Sequence, residues 1–385
     1  MHQNHRRRRA RPRRAADRRG TAVIVHRAPG KLFVAGEFAV VEPGRSAVLV
    51  AVDRYAEVAI APGTDPAAEV TVRSDLSGTA RLRRVGGRLV ALDSSGANLG
   101  HVITAIETVE QFAGELGRGP AAVELTITST MHERGTKFGL GSSGAVTTAV
   151  VAALSEFLGI ELTAAQRFRL ALLASVRLDR RPSGADVAVS TWGGWLAYRA
   201  PDREAVHILS ARHGLRHAMH ADWPGLSIRP LRAPPDVDLL VGWTGTPAST
   251  GAQLAKVYGG DVRASAAYRT FLRESGTCVA ALESAVREGD SAWLLRGVRR
   301  CHSILRVFDS AARLGIFTER LTALCATAEA AGGAAKPSGA GGGDCGIALL
   351  HGDARTAATA LSEQWQAQGI RPLPVAISTS AGAAR

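Results

Sequence analysis

The segment 137-KFGLGSSGAVTTAVVAALSEFL-158 constrains the fold more than any other part of the chain. An extended piece leads into a glycine and serine loop, which opens directly into a long apolar helix beginning near Ser142 and running to Leu158. The junction leaves the first backbone N–H groups of that helix unpaired and presents the positive end of its dipole. Glycines at 139, 141 and 144 let a ligand approach the backbone closely, so the junction suits an anion, and phosphate is the natural one. It is not a P-loop, because no lysine follows the second glycine. Nor is it a dinucleotide fingerprint, because no strand, helix and acidic residue follow in a βαβ unit. The consecutive hydroxyls Ser142 and Ser143 offer a first-turn oxygen to the Mg²⁺ that accompanies a nucleotide. A capping serine and a turn would explain one serine and one glycine but leave the others idle.

The rest of the chain alternates strands and helices around this junction. Residues 22–41 and 46–60 read as strands, 61–95 as a peripheral hairpin, 98–116 as a helix and 122–130 as a strand. A helix over 163–178, N-capped by Thr163, is followed by a strand over 187–198. After a polar stretch at 203–235 comes a strand over 237–245, and then helices over 250–258, 263–288, 291–313 and 318–331. A glycine-rich run, a strand over 346–351, a helix over 355–368 and a strand near 370–377 complete the pattern. Without a strict βαβ repeat this predicts an α+β chain of two domains, residues 22–232 and 233–378, with 379–385 as a tail.

The second glycine-rich run, 336-KPSGAGGGDCG-346, passes straight into a buried strand, unlike a flexible linker. Its Lys336, Ser338 and Asp344 suit a second phosphate-facing loop. Asp186, following Ser183-Gly184, is placed to take a proton from a substrate hydroxyl or to anchor a turn. Lys31, between Pro29-Gly30 and an apolar strand, needs solvent or an anionic partner. Together these groups make the inventory of a phosphoryl-transfer site, where positioning and charge neutralisation do most of the catalysis.

Charge and cysteine usage narrow the alternatives. The formal charge is +13, but residues 1–20 hold nine arginines and one aspartate, so the remainder carries only +5. Residues 1–21 read as a disordered arginine-rich tail, without the aromatic interleaving of a single-strand nucleic-acid binder or the amphipathic pattern of a membrane-surface helix. Non-specific nucleic-acid contact through that tail is the limit of what it suggests. No stretch approaches the roughly 20 apolar residues of a spanning helix, and no export signal follows the arginines, so no membrane partner is expected and the compartment is the cytoplasm. The four cysteines have neither C-x-x-C nor zinc-finger spacing and read as reduced thiols. Of 47 basic residues only four are lysines, and three of them, Lys31, Lys137 and Lys336, fall in or beside these motifs.

The segments APGKLFVAGEFAVV (28–41), GLGSSGAV (139–146) and KPSGAGGGDCG (336–346) resemble the three motifs of the GHMP kinase superfamily. KFGLGSSGAV, SGADVAVSTWGGWLAY and VGWTGTPAST (241–250) resemble its bacterial phosphomevalonate kinases in particular. The likeness runs over about residues 22–378. It implies a ribosomal-S5-like N-terminal domain, a ferredoxin-like C-terminal domain and a site in the cleft between them. It also implies Mg²⁺-dependent transfer from ATP to 5-phosphomevalonate, in the mevalonate route to isoprenoids, by a monomer or homodimer. On the resemblance, Gly139, Leu140, Gly141, Ser142, Ser143 and Gly144 cradle ATP, with Ser143 approaching the Mg²⁺. Asp186 and Lys31 are the catalytic pair. Lys137, Ser183, Ser249, Lys336, Ser338, Gly339, Ala340, Gly341 and Gly342 face the acceptor. Because that acceptor is a phosphate already largely deprotonated, Asp186 is as well suited to orienting the lysine or substrate as to accepting a proton. Mevalonate kinases carry an extra acidic metal ligand about eleven residues before this aspartate, where this chain has Ser175. A mevalonate kinase or diphosphomevalonate decarboxylase of the same fold is the alternative, and a non-catalytic ligand sensor or a tail-driven nucleic-acid binder is the alternative of another class.

Overall fold

The computed structural model describes residues 23–93, 98–259, 261–352 and 355–379. The arginine-rich tail read from the sequence lies outside them. In chain order the first half contains β1 (Ile24–Ala35), β2 (Ser46–Pro62), β3 (Val70–Ser74), β4 (Gly78–Val85), β5 (Arg88–Ala91), α1 (Gly100–Glu115), β6 (Val123–Ser129), β7 (His132–Glu133) and β8 (Thr136–Lys137). It continues with α2 (Ser142–Phe157), α3 (Ala164–Leu178), α4 (Ala185–Trp192), β9 (Trp195–Arg199), α5 (Arg203–His220) and β10 (Ser227–Leu231). The second half contains β11 (Val237–Trp243), α6 (Thr250–Tyr258), α7 (Ala266–Glu288), α8 (Ser291–Ala312), α9 (Glu319–Ala330), β12 (Ala334–Pro337), β13 (Cys345–His351), α10 (Arg355–Ala367) and β14 (Arg371–Leu373).

The first sheet has the order β10-β9-β2-β6-β3-β4-β5, with β1 also paired to β2. The 17-residue β2 organises it, pairing with β1 along most of its length, with β9 over Ser46–Val50 and with β6 over Ala56–Pro62. Helix α2 packs on β1 and β2, and α1, α3 and α4 surround α2, which explains why α2 is apolar nearly all round. The second sheet, β12-β13-β11-β14, is antiparallel throughout. That order is the 4-1-3-2 arrangement of a ferredoxin-like unit, here with several helices in its first crossover. Helices α8 and α9 pack against β12 and β13, and a smaller core forms around Leu324, Leu361, Trp365 and Ile370. The two halves share one apolar seam. Phe38, from the segment after β1, meets Phe308 edge to face, and Phe308 stacks on Phe271 at 4.2 Å.

Two segments differ from the sequence reading. Residues 187–198, expected as one strand, form α4 followed by β9. Val187, Val189 and Thr191 alternate as strand residues do, but Gly184 adopts a left-handed conformation (φ 79°) that starts a helix, and α4 is buried between β1, α2 and α3. The polar stretch from 203 contains α5, whose start Asp202 caps by accepting from the N–H groups of Glu204 and Ala205. Gly214 breaks that helix, and the Glu115 carboxylate restarts it by accepting from Leu215 and Arg216 N–H at 2.9 and 2.6 Å. A single amphipathic period is therefore missing from its sequence.

Candidate active site

Helix starts away from the cleft are capped by side chains: Thr163 for α3 in a capping box with Gln166, Ser265 for α7, Asp290 for α8 and Thr318 for α9. Helices α2 and α4 are different. Each begins at a left-handed glycine, Gly141 (φ 76°) or Gly184, with no side-chain cap. The first turns of both line a cleft of about 690 Å³ between the two sheets, and the N–H groups of α2 are left for a ligand, whereas in α4 Ala185 N–H donates to Ser183 Oγ at 3.3 Å and Val187 N–H to Asp186 Oδ1 at 3.0 Å.

Lys31, on β1 just past an irregularity at Pro29/Gly30, reaches into this cleft. Its backbone N–H donates to Leu140 O at 2.8 Å, which fixes β1 against the glycine loop. The ammonium lies 3.4 Å from Gly139 O and 5.2 Å from the centre of the Phe33 ring, with the residue only 8% exposed. Ser190 on α4 donates to Pro29 O at 2.8 Å, tying the helix that carries Asp186 to the strand that carries Lys31. Asp186 lies in the first turn of α4, where its Oδ1 accepts from Val187 N–H. Its carboxylate packs over Gly144, where an added Cβ would stand 2.6 Å from Oδ2. A Cβ on Gly141 would stand 2.8 Å from Lys31 Cγ and 3.4 Å from Asp186 Cβ. The glycines of the loop therefore bring the lysine, the carboxylate and the α2 N-terminus together.

Of the other expected residues, Lys137, Gly139, Ser142, Ser143, Ser183, Ser249, Gly339 and Ala340 also line the cleft. Ser249 has a second task, accepting from Ala252 N–H as the cap of α6. Ser183 O accepts from the buried Tyr198 hydroxyl at 2.7 Å, and burial pushes that phenol's pKa well up. Leu140 is buried and contributes its carbonyl to Lys31 rather than a surface to the cleft.

Four expectations need correction. Lys336 does not face a phosphate: all four residues of β12 are buried, and its ammonium is ion-paired with Glu37 and donates to Pro337 O at 2.8 Å. Two, not three, of the four lysines therefore open onto the cleft among the motifs. Ser338 is used internally, accepting from Phe33 N–H at 2.8 Å and donating to Phe33 O at 3.2 Å, so it stitches the second glycine loop to β1. Gly341 packs against Ile316 and Gly342 against Gln253, and neither lines the cleft.

One more expected residue has a different task, and other residues complete the walls. Asp344, expected to position phosphate, is instead a buried clamp in the left-handed region (φ 52°). It occupies the space above Gly139, accepts from Ala248 N–H at 2.9 Å and joins the two glycine loops to the segment before α6. Burial raises its pKa, opposed by the Ala248 hydrogen bond and the charge of Lys31. Glu37, His101, Ser175 and Asp179 line other walls. Asp179 is held by Arg181 at 2.8 Å; its burial works against ionisation, but the Arg181 bonds outweigh it and its pKa falls. Only comparing the turn after β1 with a segment 299 residues away would have paired Glu37 with Lys336.

Among the described residues no group of three His, Cys, Asp or Glu side chains is arranged to hold a metal. What the cleft supplies is oxygen: the first-turn hydroxyls of Ser142 and Ser143 beside uncapped N–H groups. That fits Mg²⁺, which takes few protein ligands and completes its shell with phosphate oxygens and water.

Comparison with known proteins agrees with this architecture. Residues 101–194 match the family model for the GHMP kinases N terminal domain, and residues 276–367 the model for the GHMP kinases C terminal region. The phosphomevalonate kinase of Streptomyces sp. (strain CL190) is 49% identical over 364 residues, covering 92% of this chain and 97% of the relative. A Lin0012 protein from Listeria innocua superposes with a TM-score of 0.85 at 31% identity, covering 94% of this chain and 99% of that one. The Streptococcus pneumoniae phosphomevalonate kinase, solved in complex with phosphomevalonate and AMPPNP, superposes with a TM-score of 0.79 at 27% identity over 92% of this chain and 99% of that one. With its α+β architecture, its glycine loop at the start of α2 and relatives matched along nearly its whole length, the chain belongs to the GHMP kinase family.

Proposed function

We propose that this chain is a phosphomevalonate kinase, a phosphotransferase with a phosphate group as acceptor, converting ATP and 5-phosphomevalonate to ADP and 5-diphosphomevalonate in isoprenoid biosynthesis. The observation that carries the reading is the convergence of Lys31 and Asp186 on the uncapped, glycine-built N-terminus of α2. The 49% identical Streptomyces relative supports the choice of substrate. We also propose that residues 22–232 and 233–378 are its two domains and the cytoplasm its compartment.

In this reading the ATP phosphates lie on the N–H groups at 139–144, with the helix dipole behind them. An oxygen of the acceptor phosphate forms a bond to the γ-phosphorus while the bond from that phosphorus to the β,γ-bridging oxygen breaks, and the electron pair leaves with ADP. The second ionisation of a phosphomonoester has a pKa of about 6, so near neutral pH the nucleophile needs no general base. Asp186 accordingly orients Lys31 and the acceptor, and Lys31 meets the transferring group as a buried point charge. Mg²⁺, held through Ser143 and nucleotide oxygens, would supply neutralisation of the charge that builds on the β- and γ-phosphates. The mevalonate-kinase alternative is disfavoured by Ser175: it presents to the cleft only a hydroxyl, which donates to Ala171 O at 3.0 Å.

The test is a ³¹P spectrum of a reaction containing the purified chain, Mg-ATP and 5-phosphomevalonate. Loss of the phosphomonoester resonance with growth of a new diphosphate pair supports the proposal. ADP and inorganic phosphate formed while the monoester persists would overturn it.

A further inference from the structure

Among the described residues, the cleft contains one imidazole that phosphoryl transfer, as derived above, does not use. His101, the second residue of α1, lines the cleft together with Lys137, Ser183 and Asp186. Its Nδ1 is closed off from solvent and has no hydrogen-bond partner. An unsatisfied buried polar atom costs about 1–3 kcal/mol, a penalty that a bonding ligand atom removes. The surroundings are of mixed charge. Burial, the largest influence, holds the ring below the pKa of a free imidazole; Asp186 from α4 and Asp179 from the end of α3 favour its protonated form, and Lys137 from β8 opposes it. In the empty site burial thus favours the neutral ring beside Asp186, Lys137 and the Arg181-paired Asp179, and an arriving dianion shifts that balance toward the imidazolium.

A phosphomonoester is the group that answers this arrangement. It brings two negative charges and three acceptor oxygens, enough to meet the exposed Lys137 ammonium and, once the ring turns about its Cβ–Cγ bond to bring Nδ1 out to the cleft, the imidazole together. An alcohol in the same place brings no charge to meet Lys137, which is exposed to solvent in the empty site, and so gains nothing from it. We propose that His101 is a substrate-binding residue that joins Lys137 in holding the acceptor's phosphate, and that this contact makes the site select a phosphorylated acceptor over the corresponding alcohol. The inference rests on the phosphomevalonate reading and adds to it the residue that discriminates. Binding of the phosphate then takes up a proton at His101, so this contribution is largest at mildly acidic pH and is lost as pH rises through the ring's pKa in the complex.

Isothermal titration of the full chain with 5-phosphomevalonate and with mevalonate, in buffers of different ionisation enthalpy, tests this for wild type, His101→Asn and His101→Ala. His101→Asn keeps a polar group near the Nδ1 position without the charge, and thermal melting checks that each variant is folded. The expected result is a loss of about tenfold or more in phosphomevalonate affinity for His101→Ala, about twofold or less for mevalonate, and no proton uptake in either variant. In kinetics KM for phosphomevalonate rises while kcat changes by less than about threefold. Equal losses for both ligands would assign His101 to the shared carboxylate end or to packing and overturn the inference. Unchanged phosphomevalonate affinity in a folded variant would overturn it too. If wild type itself fails to bind phosphomevalonate, the functional reading falls and takes the inference with it, an outcome distinct from the other two.

Discussion

Gly144→Ala tests whether the position of Asp186 over α2 matters to the chemistry. Gly144 sits in the first turn of α2 and is not among the residues with positive φ, so its backbone accepts alanine without strain. Helix propensity even favours the change, by up to about 1 kcal/mol. The new methyl carbon, however, would stand 2.6 Å from both Cγ and Oδ2 of Asp186 and 2.8 Å from its Cβ. Ordinary contact begins near 3.4 Å, so the carboxylate has to move by about 0.8 Å. Because Cβ is crowded as well as the carboxylate, side-chain rotation alone does not relieve the clash, and the first turn of α4 must shift. Displacements of this size in a positioned catalytic group cost about a hundredfold in rate, or roughly 2.7 kcal/mol of transition-state stabilisation. Coupled ADP-release kinetics should therefore show kcat/KM down by about a hundredfold, while the chain stays folded and loses no more than about 1–3 kcal/mol to overpacking, offset in part by the helix-propensity gain. Wild-type kinetics in a folded Gly144→Ala chain would refute the claim that Asp186 acts from the position it occupies over α2.

Four further outcomes follow from the same geometry. Lys31→Arg conserves charge but has to fit a planar guanidinium where the lysine stem already crowds Gly141, and steady-state assays should show kcat/KM lower by at least about tenfold, roughly 1.4 kcal/mol. Lys336→Met strands the Glu37 carboxylate in a site where both partners are buried, so denaturant unfolding should show about 3–5 kcal/mol less stability; most of this should return in Lys336→Met/Glu37→Leu. Ser143→Ala should raise the Mg²⁺ concentration needed for half-maximal rate, measured by titrating a chelator-stripped enzyme, and an unchanged Mg²⁺ dependence would remove Ser143 from that role. Asp344 has a raised pKa, so the folded state holds its proton more tightly than the unfolded one, and its contribution to stability falls as pH rises from the ordinary carboxylate range through the raised value. Asp344→Asn, which keeps an oxygen for Ala248 N–H, should flatten that part of the stability-versus-pH curve in thermal melts.

How legible each part was in the sequence depended on how local its cause is. The α2 junction and the Thr163 N-cap are written in a few adjacent residues, and both appear where the pattern puts them. Helix α4 was not legible, because β-branched alternation at 187–191 competes with a helix signal that consists of one left-handed glycine and a buried location. Helix α5 was hidden by its break at Gly214, whose remedy, Glu115, lies on another helix. At the site, Lys31 and Asp186 could be read from turn residues beside them. Lys336 was misread for the same reason: adjacency to a glycine loop suggests phosphate, whereas its partner Glu37 comes from β1's end of the chain. His101 belongs to the site through tertiary packing alone, and Asp344, which its glycine-rich run marks as a phosphate contact, takes its clamp role from packing over Gly139 and bonding Ala248.

The central claim is that the cleft transfers a phosphoryl group from ATP to a phosphate, and substrate comparison in steady state tests it most directly. ADP release by the purified full chain is to be measured with 5-phosphomevalonate, mevalonate and 5-diphosphomevalonate under identical Mg-ATP. The expected result is kcat/KM for phosphomevalonate at least about a hundredfold above that for either other acceptor, a discrimination of roughly 2.7 kcal/mol. Turnover of mevalonate at a comparable or higher kcat/KM, or none with phosphomevalonate, would contradict it.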